Sequence, residues 1–62
     1  MEPRTYLWVD VVFVRETPRA ILIVFDGRKA WIPKVWIERL KQMGGRSIKI
    51  KISEYHWARR FA

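Results

Sequence analysis

Apolar and polar residues alternate at period two through much of this chain, the spacing of strands rather than helices. From Tyr6 to Arg15, Leu7, Val9, Val11 and Phe13 share one face, and Tyr6, Trp8, Asp10, Val12 and Val14 the other, which is mixed. The four valines in that stretch favour a pleated surface. Ala20–Phe25 is apolar throughout: Ile21, Ile23 and Phe25 point one way, Leu22 and Val24 the other. A strand with no polar face reads as internal to its sheet and covered on both sides. Ser47–Ser53, SIKIKIS, alternates without a break, with Ile48, Ile50 and Ile52 inward and Lys49 and Lys51 outward.

Turn chemistry separates these runs. Met1–Thr5, with Pro3, reads as a frayed end. Glu16-Thr17-Pro18-Arg19 is a turn, because Pro18 fixes φ and cannot donate to a ladder. Asp26-Gly27 is the strongest hairpin signal in the chain, since both residues tolerate positive φ. Arg28–Ile32 then returns as a strand, with Lys29 and Trp31 on one side and Ala30 and Ile32 on the other, and Pro33 stops it.

Over Lys34–Met43 the spacing of Trp36, Leu40 and Met43 predicts a helix, short if Val35-Trp36-Ile37 is extended. Gly44-Gly45 would terminate it. Ser53 is placed as an N-cap before Glu54, predicting a closing helix over Glu54–Ala62. Trp57 and Phe61 would form its apolar side, with Ala58 and Tyr55 alongside.

The predicted order is β-β-β-α-β-α in one domain spanning residues 1–62. This is a mainly β class with one or two short helices: a small antiparallel half-barrel, SH3-like or OB-like, plugged by a helix. An open sheet with a helix on one face is the second architecture. Because Ala20–Phe25 is apolar on both sides, either the sheet closes on itself or a second copy covers the remaining face, as a homodimer.

Charge changes the picture, because it is uneven. Residues 1–26 carry three basic and four acidic groups, a net of −1; residues 27–62 carry ten basic and two acidic groups, a net of +8. That asymmetry points to a polyanionic partner. Nine aromatic residues, four of them Trp, can supply a core in so short a chain. Cysteine is absent, which excludes disulfides and thiolate chemistry and fits a reducing cytoplasm. The opening Met1-Glu2-Pro3-Arg4 is polar, and no apolar stretch nears the roughly 18 residues of a spanning helix, so neither leader nor membrane partner is expected.

Catalytic chemistry finds little support. His56 is the only histidine and reads as a packed or surface residue. The six carboxylates are scattered singly, no metal-ligand spacing occurs, and Gly44-Gly45-Arg46-Ser47 is too short to cradle phosphate. A non-enzymatic protein with no metal or cofactor is expected.

The constellation that remains is cationic. Arg46, Lys49 and Lys51 belong to one strand region, Arg28, Lys29 and Trp31 to the hairpin, and Lys34 follows Pro33. Lys49 and Lys51 share a face roughly 7 Å apart, comparable with phosphates along a nucleic-acid strand. An exposed Trp31 would offer bases a stacking surface, whereas a packed one would belong to the core. Lysines at outward positions of a solvated edge strand would serve only to block aggregation. The expected function is nucleic-acid binding, to DNA or RNA, through this face. The alternative is a protein-interaction module whose cations match an acidic partner.

The stretch Ala20-Ile21-Leu22-Ile23-Val24-Phe25-Asp26-Gly27, followed by Trp31-Ile32-Pro33-Lys34 and later by Trp57, resembles short uncharacterised proteins of phages and prokaryotic mobile elements. The resemblance covers roughly the middle third of the chain. Those proteins are more acidic and usually follow the lysine with Ser, where this chain has Val35. It implies a small phage-type β protein and nothing catalytic; the interaction-module alternative would make the chain a phage or mobile-element inhibitor or regulator of an acidic host protein.

Overall fold

The computed structural model describes residues 5–61. Five strands, β1 (Tyr6–Glu16), β2 (Ala20–Phe25), β3 (Arg28–Pro33), β4 (Ile37–Gly44) and β5 (Ser47–Ser53), precede one helix, α1 (Glu54–Phe61). A single 3-10 turn, Lys34–Trp36, joins β3 to β4. The strands form one antiparallel sheet in the order β3-β2-β1-β5-β4. Of the frayed end expected at Met1–Thr5, Met1–Arg4 lies outside the described residues, while the Thr5 carbonyl accepts the Glu54 N–H at 2.8 Å. Ala62, expected to close the last helix, also lies outside them.

β1 is the spine. Its first part, Tyr6–Val12, pairs with β5, and its second part, from Val12 to Glu16, pairs with β2. The register shifts between Phe13 and Arg15, so Val14 is the extra residue of a bulge that bends the strand. Arg46 holds that bend. Its guanidinium donates to the carbonyls of Phe13 and Val14 at 3.3 and 2.9 Å, and its own carbonyl accepts the Phe13 N–H at 2.7 Å.

The linker between the edge strands shows that the sheet curls. Pro33 and Ile37 are four residues apart and can be separated by at most about 14 Å. A flat five-stranded sheet would put its edge strands about 19 Å apart. The sheet therefore rolls toward its apolar side, but β3 and β4 do not pair, and it does not close into a true barrel.

Inside the curl lie the predicted inward residues: Val9 and Val11, Ile21 and Ile23, Ile32, and Ile48, Ile50 and Ile52. Ile23, Ile32, Ile50 and Ile52 are completely buried. Burying each such side chain contributes roughly 1.5–3 kcal/mol. Helix α1 packs on the same side, where Trp57 and Phe61 meet Phe25 edge-on at centroid distances of 4.9 and 5.4 Å. Tyr55 and Ala58, expected to help, face solvent instead. Ser53 caps the helix as expected: its Oγ accepts the His56 N–H at 3.1 Å. That hydroxyl also lies 3.0 Å from His56 Nδ1, and the imidazole stacks on Trp36 at 4.4 Å.

The hairpin tip has the predicted chemistry, with φ of 53° at Asp26 and 76° at Gly27, the two positive values of a type I′ turn. The expected middle helix is overturned. Lys34–Met43 is not a helix: only Lys34–Trp36 makes a helical turn, and Ile37–Gly44 is a strand paired with β5. Gly44-Gly45 is accordingly a strand-to-strand turn, with φ of 119° and 57°, rather than a helix stop. No helix among the described residues is long and apolar enough to cross a membrane.

Candidate nucleic-acid interface

Six of the twelve basic side chains among the described residues lie on the outward side of the sheet, and pairing register places four of them together. Across the adjacent strands β1, β5 and β4, Trp8 lies opposite Lys51 and Lys51 opposite Arg39. In the neighbouring row Asp10 lies opposite Lys49 and Lys49 opposite Lys41. Directly opposed residues point to the same face, so these six side chains form a contiguous block. Arg39, Lys41, Lys49 and Lys51 are its cations and Asp10 its carboxylate. Glu38 stands at the rim, where it accepts the Tyr6 hydroxyl at 3.4 Å.

Two features of this block oppose a purely structural explanation. Arg39–Lys51 and Lys41–Lys49 are like-charge pairs directly opposite one another, an arrangement that destabilises a sheet. Lys49 and Lys51 also lie on β5, which sits between β1 and β4 and has no free edge to protect. Among the described residues the only ion pair joins Lys34 to Glu16 at 2.7 Å, so none of the four cations is neutralised that way.

Aromatic rings punctuate the same side. Trp8 is 44 % exposed, and Lys41 Nζ sits over its ring, 5.2 Å from the centroid. Lys51 Nζ lies 5.6 Å from the Tyr6 ring. On the other half of the sheet, Trp31 lies opposite Leu22, and Leu22 opposite Arg15. Trp31 is 37 % exposed, and the Arg15 guanidinium lies 5.8 Å from its ring centre. Lys29 is two residues away on the same face, opposite Val24. A depression of about 710 Å³ between the two halves is lined by Asp10, Val12, Val24, Met43 and Ser47 among others.

The seven residues proposed from sequence thus divide. Lys49 and Lys51 form the middle of the cationic block. Lys29 and Trp31 share its side of the sheet, with β2 lying between them and the β1 margin of the block. Arg28, Lys34 and Arg46 have other engagements. Arg28 donates to the Phe61 carbonyl at 3.1 Å and lies over the Phe61 ring. Lys34 pairs with Glu16, and Arg46 holds the β1 bulge. Sequence reasoning missed Trp8, Arg39, Lys41 and Arg15. Trp8 was visible as an alternating residue of the mixed β1 face; Arg39 and Lys41 were hidden by the helical reading of their strand.

Among the described residues no group of three His, Cys, Asp or Glu side chains could hold a metal ion. Set against protein-family models, curated proteins and solved structures, the chain matches none of them.

Proposed function

We propose that this protein is a nucleic-acid-binding module that uses the outward face of its sheet, and that the fold is a half-barrel of SH3-like or OB-like kind serving to present that face. The observation that carries the reading is the block of Arg39, Lys41, Lys49 and Lys51. Two directly opposed like-charge pairs cost stability in the free protein. A polyanion removes that repulsion on binding, so the cost becomes part of the affinity. Aromatic rings at the margin of the block suit bases as well as phosphates. An acidic protein would profit from the same charge but has less use for stackable rings. The proposed role is binding, with no chemical step assigned.

Titration with DNA and RNA oligonucleotides of arbitrary sequence tests this. Binding should be detectable at low salt and weaken steeply between roughly 50 and 200 mM. Lys49→Glu/Lys51→Glu should remove it while the far-ultraviolet dichroism stays that of the native sheet. Absence of binding at the lower salt, or normal binding by the folded double variant, would overturn the proposal.

A further inference from the structure

We infer that the ligand of this face is single-stranded, and that Trp8 is its base-stacking station. This rests on the nucleic-acid reading above and narrows it.

Trp8 is nearly half exposed, on the outward side of β1, with the cations of β5 and β4 ranged beside it. Its ring is the only apolar surface within the two rows. The cation over it is Lys41, an exposed side chain that reaches across β5 from an edge strand. Such a contact, made by a solvated ammonium, is weaker than the stacking of a base on Trp. A base can therefore take the ring while Lys41 swings to the adjoining phosphate. No bond is made or broken; one cation exchanges an aromatic partner for an anionic one. The same pairing of ring and basic side chain occurs at Trp31 with Arg15, so the half of the sheet carrying β3 offers a second station.

Duplex DNA fits this face less well. Its bases are already stacked and cannot lie on a ring without being pulled out. A groove reader also needs an element that projects, such as a helix or a two-stranded ribbon. Here the helix lies on the opposite side of the sheet, where Trp57 and Phe61 face Phe25.

The two stations have a calculable separation. Trp31 lies in the row of Arg15, seven residues along β1 from Trp8, with one of the seven taken up by the bulge. Six strand steps give about 20 Å along β1, and two strand spacings add about 10 Å across, so the straight-line separation is at most about 22 Å, the bend at Val14 and the curl of the sheet shortening it. That is about three internucleotide steps at roughly 7 Å each, so a strand of about four nucleotides reaches both stations and shorter ones reach only one.

The test compares oligothymidylate of about 12 nucleotides with a duplex of the same length and with heparin, a polyanion without bases, each followed by tryptophan fluorescence at low salt. The single strand should bind more tightly than the duplex and quench the fluorescence. Trp8→Leu should lose roughly tenfold in affinity for it and much of the quenching, while binding heparin unchanged. Trp8→Phe should recover most of the loss, which separates stacking from damage to the fold. Affinity should climb between about two and about six nucleotides and then level. Equal or tighter duplex binding, or a Trp8→Leu variant that binds the single strand as the parent does, would overturn the single-strand inference and leave polyanion binding standing. Failure of all three probes to bind would overturn both.

Discussion

Reversing the two charges on the edge strand should make the protein more stable and a worse binder. Arg39→Glu/Lys41→Glu turns both directly opposed like-charge pairs, with Lys51 and Lys49, into opposite-charge pairs. A cross-strand charge pair is worth roughly 0.2–1 kcal/mol, and a sign reversal gains by removing repulsion and by adding attraction. Both β4 side chains are exposed, so solvent screening holds the gain to about 0.5 kcal/mol per pair. Against this stands the contact of Lys41 with the Trp8 ring, about 0.5 kcal/mol at an exposed site. The net is about 0.5 kcal/mol of added stability, which in a domain this small is a rise of about 2–4 °C in Tm. Thermal melts followed by circular dichroism at low salt would resolve it. In about 0.5 M salt the gain should fade, because the Debye length then shrinks below the spacing of the pairs. Nucleic-acid binding should weaken in parallel, its salt dependence on a single strand flattening by about 1.4 in log–log slope if both cations meet phosphate. A Tm that is unchanged or lower at low salt would refute the reasoning: the cations would then not be held together at a cost, and the chief support for the proposed function would be gone.

Two further predictions concern the scaffold. Arg46→Ala should destabilise the protein by about 1–3 kcal/mol, since the carbonyls of Phe13 and Val14 lose a charged donor at the β1 bend; an unchanged urea midpoint would show that water replaces it without loss. Gly27→Val should cost on the order of 1–2 kcal/mol, because the position has φ of 76° and a β-branched residue resists it although open space surrounds the Cβ; an unaltered melt would mean the turn relaxes to another type.

What could be read in advance was whatever depended on neighbours in sequence. Ile48, Ile50 and Ile52 gave their strand by alternation, Asp26-Gly27 its turn by tolerance of positive φ, and Ser53 the start of α1 by its hydroxyl. The strand Ile37–Gly44 escaped because it is bulged twice. Its register shifts between Ile37 and Arg39 and again between Gln42 and Gly44. The first shift brings Ile37 and Leu40, three residues apart, onto the face of Ile52 and Ile50. Trp36 ends the 3-10 turn just before Ile37 and Met43 is the extra residue of the second bulge, so the spacing of Trp36, Leu40 and Met43 imitated a helix. With that strand misread, Arg39 and Lys41 could not be set beside Lys49 and Lys51. Trp8 escaped for a different reason. Its neighbour Lys51 is distant in sequence, and only the pairing of β1 with β5 joins them.

The outward face also bears on assembly, where apolar patterning and charge give opposite answers. Trp8, Val12, Trp31 and Met43 are all exposed large apolar residues, and Val12 and Val24 face each other on that side. Such a surface suits a second copy, as the apolar character of Ala20–Phe25 suggested. Yet a two-fold interface brings one patch against the same patch of its partner. Here that would face Arg15, Lys29, Arg39, Lys41, Lys49 and Lys51 of one copy with the same six of the other, against the fewer carboxylates of Asp10, Asp26 at the hairpin tip and the rim Glu38. The apolar residues are interleaved with these cations and cannot be buried without them. Leu22, the most apolar part of β2 on that side, is already only 9 % exposed beside Trp31 and Arg15. Coulombic repulsion among so many cations exceeds what four part-exposed apolar side chains return at low ionic strength. The protein should therefore sediment as a monomer at micromolar concentration in about 50 mM salt, and associate only as salt is raised toward about 1 M and screening removes the repulsion. A dimer at the lower salt that Val12→Glu dissociates would show that apolar contact governs this face, and would transfer its cations from ligand binding to the rim of an interface.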